Sequence, residues 1–440
     1  MKYTTLFMLI LIAFSGLNAQ QQAEVKKFSL QEAVAHAKKY NNTLKNSALD
    51  VLSAEKKVKE VLASGLPNVN ATGSFTNYLT VPSNVINFGG VQQVIQFGVP
   101  FGATGSISAS QLLFDGGFLI GLKASKEYVQ LSKINQKRSG IETEVSVSKT
   151  YYSVLLTQIS LTLLDTNLYA LGKTKSELEK LVANGFIDKT EFDKIDLQYS
   201  NLEIQREKLI DQQKTLLMVL KIQLGLNFDD AIELTDNLDN MYEVAKNNLY
   251  PTKVDYTNRV EYQLINQSVT LNKLDKKRYQ FGYAPSLVAV FSTQQNSFGQ
   301  TFGDLGKAWY AGTLWGLNLN IPIFDGFKKS AQIQQADVNV RKAENDKIVL
   351  QNAIEQEVFN ARTTLNRSSK QLEIQKKNFE LAQLIYSRTE LKFKNGLNSS
   401  LDLTNAQRDL ESARAAYLNT MYEFFIAQLD LRKALGEINK

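Results

Sequence analysis

The sequence predicts a mixed, mainly α fold in which one supersecondary unit occurs twice: a helix, a β-hairpin and a long helical hairpin. Two observations carry this reading. LLFDGG at 112–117 returns as PIFDGF at 322–327, about 210 residues on. At nearly the same shift Asn184-Gly185-Phe186 falls on Asn395-Gly396-Leu397, and Leu224-Gly225 on Leu435-Gly436. At a shift of about 218, Leu66-Pro67-Asn68-Val69 falls on Ala284-Pro285-Ser286-Leu287, and Asn41 on Arg259. Landmarks that recur in order mark an internal duplication. The second observation is that the hydrophobic period changes from two to helical at each FDG, so every repeat holds both strand and helix.

Residues 1–19 read as a secretory signal peptide. Lys2 precedes an apolar run from Leu6 to Phe14, then small and polar residues, with cleavage expected after Ala19. The run is too short for a transmembrane anchor, and no later stretch of 18 apolar residues is found, so no membrane-spanning helix is expected.

The first repeat, 20–226, opens with a helix from Ser29 to about Ala63, Ser29 being the cap before Leu30-Gln31-Glu32. Gly65-Leu66-Pro67 stops it. Val69, Ala71, Gly73 and Phe75 then alternate with Asn70, Thr72, Ser74 and Thr76, and Gly105, Ile107 and Ala109 with Ser106, Ser108 and Ser110. This is a β-hairpin over about 66–115 with one apolar face, its strands joined by an expected loop from about 82 to 103. The second repeat, 259–440, does the same over about 284–325, where Trp315, Leu317, Leu319 and Ile321 alternate with Gly316, Asn318 and Asn320. After each FDG comes a proline-free helix of about 65–70 residues, about 100 Å at 1.5 Å per residue. Asn-Gly then turns the chain, because both residues tolerate positive φ.

The returning helices carry a heptad seam. Phe192, Ile195, Tyr199, Leu202 and Leu209 form it in the first, and Leu403, Ala406, Leu410, Ala413, Tyr417 and Phe424 in the second. Such a seam packs long helices nearly parallel. Each returning helix is shorter than its partner, so a returning and a leading helix stacked end to end would match the unbroken arm. The polar, acidic inter-repeat segment 227–258 would lie as a belt where they meet.

Composition narrows the function. Hydrophobic residues make up 43% of the chain and prolines number six, which argues against disorder. The net charge of +6 is dispersed and leaves no nucleic-acid footprint. The absence of cysteine excludes disulfides and a lipid-modified N-terminal Cys. One histidine, His36, and no CxxC, HExxH, Walker or dinucleotide motif leave no catalytic, cofactor or metal residue to assign.

Four amphipathic strands cannot close a barrel by themselves, since the smallest membrane barrels have eight. An exported half-apolar sheet needs partners. Strands of about ten residues with apolar alternation suit an outer membrane, with several copies sharing one barrel. Trp309, Tyr310 and Trp315 serve either an aromatic girdle or ordinary sheet packing.

In its duplication, the Leu-Pro before strand one, Phe-Asp-Gly after strand two, Asn-Gly tips and C-terminal LDLRKALG at 429–436, the chain resembles the TolC-like outer-membrane efflux protein family. The resemblance covers nearly the whole mature chain. It implies a homotrimer with a 12-stranded β-barrel in outer-membrane lipid and a helical barrel crossing the periplasm. It further implies an exit duct of a tripartite efflux pump or type I secretion system, with a periplasmic adaptor and an inner-membrane transporter as partners. Another reading is an exported trimeric coiled-coil adhesin or structural fibre, which would need the seam but not the strands.

The resemblance also implies a periplasmic gate. Asp402 matches the first acid of the family's constriction ring, and Asn405 stands where the second acid is expected. Glu191 matches the tip acid bonded across hairpins. Its family partners, a tyrosine and an arginine, are replaced by Phe393 and Asn398. Asp402, Asn405 and Asp409 share one helix face, as do their duplicates Glu191, Lys194 and Gln198. These polar residues either ring a lumen or simply keep a helix face solvated. The tips Asn184, Gly185, Phe186, Asn395, Gly396 and Leu397 match the family's adaptor-contacting turns. Phe186 and Leu397 either meet a partner or fold back on their own hairpins.

Overall fold

The computed structural model describes residues 25–96, 98–246, 250–251 and 253–438; the expected signal peptide lies outside them. In chain order the elements are β1 (Lys26–Phe28), α1 (Leu30–Tyr40), α2 (Asn42–Ala63), β2 (Asn68–Asn77), β3 (Ser83–Phe88), β4 (Val91–Gln96), β5 (Phe101–Phe114) and α3 (Gly116–Ala183). There follow α4 (Lys189–Leu224), β6 (Ile232–Leu234), α5 (Leu238–Ala245), α6 (Val260–Phe281), β7 (Ser286–Gly299), β8 (Tyr310–Asn320), α7 (Lys328–Lys394) and α8 (Ser400–Ala434). The two unbroken helices have 68 and 67 residues. Contacts divide the described residues into two units. One takes the chain up to Ala48, Asn135–Tyr262 and everything from Leu350; the other takes Leu49–Ile134 and Gln263–Val349.

The second unit holds a four-stranded antiparallel sheet in the order β2-β5-β7-β8. Its registers carry the duplication to single-residue accuracy. Val69 pairs with Ala109; moved by 218 and 210 these become Leu287 and Leu319, which pair in the second hairpin. One face gathers Val69, Ala71 and Phe75 of β2, Ala103, Ile107 and Ala109 of β5, Leu287, Ala289 and Phe291 of β7, and Trp315, Leu317 and Leu319 of β8. The opposite face is polar on β2 and β5, with Thr72 bonded to Ser106 at 2.7 Å and Thr104 to Asn296 at 2.9 Å, while β7 and β8 add Val288, Val290 and Leu314 to it. The aspartate of each FDG begins the following helix. Asp115 Oδ1 accepts from Phe118 N–H at 2.7 Å and Asp325 Oδ2 from Lys329 N–H at 3.1 Å.

Two expectations need correction. The segment 82–103 is not a loop throughout, because β3 and β4 form an antiparallel hairpin inside it. Gly89 and Gly90 supply consecutive positive φ values of 61° and 87° between the strands, which a tight hairpin turn demands. The helix from Ser29 is also not continuous. Ser29 caps α1 in a capping box with Glu32, as expected, but Asn41 leaves the helix at ψ 130°. Its amide is committed on both sides: Nδ2 donates to Gln223 O at 2.7 Å, and Oδ1 accepts from Thr43 N–H at 2.8 Å to start α2.

That contact belongs to a junction built twice in the first unit. Arg259, the counterpart of Asn41, donates from Nη1 to Ala434 O at 2.7 Å, and Ala434 is the counterpart of Gln223. Gly225 and Gly436 end their helices at φ 71° and 73°. A Cβ on Gly225 would lie 2.3 Å from Tyr40 O, and one on Gly436 would lie 2.9 Å from Asn258 O. Each returning helix thus ends in close backbone contact with the start of a leading helix, as the stacked-arm reading expects. Beside it, β1 and β6 pair in parallel, and Phe28, Leu234, Leu238 and Tyr242 join Tyr151, Leu220, Leu224, Phe424 and Phe425 in one core. The inter-repeat segment therefore contributes buried apolar groups as well as its polar surface. One 18-residue window of α3 has mean hydropathy 1.2, enough by length and composition for a membrane span. It passes that test, although 39% of the window is buried within the protein.

Candidate functional site

The site is at the hairpin tips, within the first unit. The α3 helix ends in a Schellman motif: Phe186 N–H donates to Leu181 O at 2.9 Å and Gly185 N–H to Val182 O at 3.0 Å. At the second tip Leu397 N–H donates to Lys392 O and Gly396 N–H to Phe393 O, both at 2.9 Å. Gly185 and Gly396 take φ 75° and 72°, the left-handed conformation the motif needs. Asn184 and Asn395 turn their amides back to the carbonyls of Lys180 and Leu391 at 2.8 and 3.0 Å. These bonds satisfy the backbone without Phe186 or Leu397, whose side chains are 76% and 75% exposed. In the single chain neither tip residue folds back on its hairpin.

Behind the tips, the seam packs as its spacing required. Ile195, Leu202, Leu403, Ala406 and Leu410 are buried against Leu164, Leu168, Leu171 and Leu178 of α3 and Tyr386 of α7. Phe393 packs half-buried against this cluster, and Asn398 is half-buried beside the second tip.

The polar residues have definite partners. Glu191 joins the two hairpins: its Oε2 accepts from Ser400 N–H at 3.1 Å and its Oε1 from Lys194 Nζ at 2.9 Å. Hydrogen bonding from Ser400 first, then Lys194, holds this carboxyl below the usual glutamate range. Asp402 is exposed and caps its own helix, with Oδ2 accepting from Ser399 N–H at 2.9 Å and Ser399 Oγ at 2.8 Å. The same serine holds its carboxyl below the ordinary range. Asn405 Oδ1 accepts from Arg408 at 2.6 Å, and Asp409 is exposed. Glu191 and Asp402 are therefore not equivalent: one bridges two hairpins and the other closes one helix end.

A buried polar stripe was not singled out from sequence. Ser400, Thr404, Gln407, Glu411 and Arg414 repeat at four-three spacing one step from the seam of α8. Glu411 Oε1 accepts from Asn167 of α3 at 2.6 Å and from Gln407 Nε2 at 3.1 Å, while its Oε2 pairs with Arg414. Arg414 is buried, and burial lowers its pKa. Among the described residues, Ser400 Oγ, Thr404 Oγ1, Gln407 Oε1 and Arg414 Nη1 are buried without a hydrogen bond. The four-three spacing was readable beforehand, but its burial was not. Also among the described residues, no three His, Cys, Asp or Glu side chains cluster as metal ligands. His36 is structural, with Nδ1 3.0 Å from Leu224 O.

Comparison with known proteins agrees with this geometry. The family model for outer membrane efflux proteins matches residues 281–437. The chain is 21% identical to outer membrane protein TolC of Salmonella enteritidis over 98% of its length and 86% of that protein's. It is 24% identical to the probable efflux pump outer membrane protein TtgC of Pseudomonas putida over 93% of its length and 83% of that protein's. The fold matches the outer membrane protein VceC of Vibrio cholerae with a TM-score of 0.70 at 15% identity, covering 92% of this chain and 96% of that one. The duplicated hairpins, the FDG and Asn-Gly landmarks and the near-full-length relatives agree in making the chain similar to the TolC-like outer membrane efflux proteins.

Proposed function

We propose that the chain is the outer-membrane exit duct of a tripartite efflux pump or type I secretion system, receiving substrate from an inner-membrane transporter through a periplasmic adaptor. The observation that carries this reading is the sheet. One face carries an apolar band from Val69, Ala71 and Phe75 through Ile107 and Phe291 to Trp315, Leu317 and Leu319, and β2 and β8 are the edge strands of the sheet. A closed barrel in lipid satisfies both features, and it needs further copies of the chain because four strands are too few. Three copies supply twelve strands. The helices leave matching apolar rows: Leu197, Ile204, Met218 and Ile222 on α4, and Ile374, Leu381 and Ile385 on α7, are exposed in the single chain. Neighbouring copies covering these rows would form the periplasmic wall.

In this duct, Phe186 and Leu397 meet the adaptor, and the gate is closed by the Glu191–Ser400 link, with Asp402 facing the opening. Asn405, Phe393 and Asn398 mark where the gate departs from its relatives: Phe393 supports the tip by packing. The test is heat-resistant trimers in detergent extracts of outer membranes, together with ion conductance in planar bilayers. A soluble rod without conductance would favour the adhesin or fibre and sink the duct.

A further inference from the structure

The apolar face of the sheet carries a notch in the first hairpin that the second hairpin fills. Gly73 of β2 stands opposite Gly105 of β5. Moved by 218 and 210, this pair becomes Phe291 opposite Trp315. Two large rings in one repeat thus occupy the place of two hydrogens in the other. The groove left behind has a volume of about 510 Å³ and is lined by Ala71, Gly105, Ile107, Thr293, Gln295 and Trp309. Neither glycine takes a positive φ, and a Cβ on either would meet nothing within 4 Å, so the backbone does not demand glycine at these positions.

One polar side chain beside the groove is left over. Gln111, Thr293, Thr313 and Ser297 share its face of the sheet, and each has a partner. Gln111 Nε2 donates to Gly65 O at 2.6 Å, Thr293 and Thr313 bond each other at 2.9 Å, and Ser297 Oγ accepts from Gly306 N–H at 2.8 Å. Gln295 stands opposite Gly105, and among the described residues its side-chain amide makes no hydrogen bond. In hydrocarbon an amide without a partner is costly.

The groove lies in the half of the sheet farther from the helices. Along β5, at 3.3 Å per residue, Gly105 is about 30 Å from Phe114, where α3 follows, and about 13 Å from Phe101. Phe75, Phe101 and Phe302 cluster at that far end with ring centroids 5.9–6.5 Å apart, as an interfacial aromatic belt would. On the duct reading, on which this inference rests, that end lies at the outer leaflet. Gln295 is then about 7 Å below the row of Phe75, the depth of the first few carbons of an acyl chain.

We infer that the groove binds an acyl chain carrying a hydroxyl group near its carbonyl end. The Gln295 amide both donates and accepts, as a hydroxyl does, so each satisfies the other. The glycine pair lets the chain lie close against the backbone. Recognition is of the chain and not of the head group. No Asp, Glu, Lys or Arg occurs from Val61 to Phe114, and Lys307, between β7 and β8, is paired with Asp304 at 2.7 Å.

The chain has two tryptophans, so Trp315→Phe leaves Trp309, in the groove wall, as the only indole. The full chain with this change is reconstituted in vesicles of phosphatidylcholine with brominated acyl chains, which quench its fluorescence. Phosphatidylethanolamine with one 3-hydroxytetradecanoyl chain is then added, or the same lipid with a plain tetradecanoyl chain. Relief of quenching reports displacement of brominated lipid from the groove. The hydroxylated lipid should displace it about five- to tenfold better, the effect of one hydrogen bond. Gln295→Leu and, separately, Gly105→Val should each bring this ratio close to one. Gln295 is exposed and Gly105 has room for a side chain, so trimers should persist in both. The hydroxylated chain should act equally well on phosphatidylglycerol. Equal displacement by the two chains, a preference that survives both substitutions, or one that follows the head group overturns the lipid site, and trimers and conductance of the native chain then leave the duct standing. Loss of trimers and conductance in the native chain removes the duct reading and the lipid site together.

Discussion

Removing the Glu191 carboxylate should open the gate at rest. The carboxylate of α4 accepts the Ser400 N–H at the start of α8, at 3.1 Å, and thereby ties one hairpin tip to the other. Ser400 is fully buried, so its N–H has no water to turn to when the acceptor is lost. A hydrogen bond to a charged group contributes about 1.5–3 kcal/mol when shielded. The Glu191 side chain is 33% exposed, so solvent screening reduces this to about 1 kcal/mol per chain. That is roughly a fivefold shift toward the open state for each link, and about 150-fold if three links break together.

The assay is the resting open probability of single channels in planar bilayers. Glu191→Ala should raise it by one to two orders of magnitude. Glu191→Gln keeps an acceptor but loses the charge and should fall between. The pH dependence follows from the sign of the shift. A carboxyl held below its ordinary value stabilises the link above that value and loses it only as pH falls through the lowered pKa. The native channel should therefore stay shut through neutral and mildly acidic pH and leak only in strong acid. If Glu191→Ala conducts at rest like the native protein, while Phe393 packing and trimer stability are unchanged, this link does not hold the gate.

Phe186→Asp with Leu397→Asp should abolish export while leaving heat-resistant trimers and outer-membrane insertion intact; normal export by this variant would remove the tips from adaptor docking. Gly225→Ala meets both a positive φ and a backbone oxygen 2.3 Å away, so it should lose about 1–3 kcal/mol in denaturant melts. Gly185→Ala has the same φ problem in open space and should lose less. Asp402→Ala should weaken block by divalent cations added on the tip side more than Asp409→Ala does, because Asp409 lies about 10 Å further along the helix; equal block would leave Asp402 as a helix cap only. Thr404→Val removes a buried hydroxyl that has no partner while keeping its shape, and should raise the denaturation midpoint by about 1 kcal/mol equivalent; a fall would mean that the hydroxyl is satisfied in the assembly.

The features of the fold that are legible in the sequence are those set by local chemistry. Alternation placed β2, β5 and β8, the duplication placed β7, the FDG landmarks marked the change to helix, and Asn-Gly marked turns with positive φ. The β3–β4 hairpin was hidden because Asn84, Asn87, Gln92, Gln93 and Gln96 in its strands, with Gly89-Gly90 between them, give the segment the composition of a loop, although Gly89-Gly90 carried a turn signature. The break at Asn41 had no local signature, because helical periodicity runs through it. What breaks the helix is a carbonyl at Gln223, 182 residues away. Distance along the chain, more than weak propensity, limits such a reading.

At the site, the duplication itself shows where to look. The repeats remain equivalent at the Asn41 and Arg259 junctions and along the sheet ladders, and they diverge behind the tips. In the first hairpin, α3 and α4 are tied by the surface ion pairs Lys175–Asp196 and Asp165–Arg206. The matching positions in the second hairpin are Tyr386 with Gln407 and Lys376 with Tyr417, which cannot form those pairs. Exposed pairs contribute about 0–1 kcal/mol each, so their loss alone is small. The larger difference is the stripe from Ser400 to Arg414, where four buried polar atoms lack partners, each a cost on the order of 1–3 kcal/mol. The first hairpin carries no such burden at Lys189, Asp193, Asp196, Ser200 and Glu203, so packing against the buried side of α8 is the weaker part of the arrangement. The bonds that Ser400 and Asn167 make to Glu191 and Glu411 fall on that same side, and they offset its cost. Loss of the Glu191 carboxylate would remove one of these offsetting bonds at the start of α8.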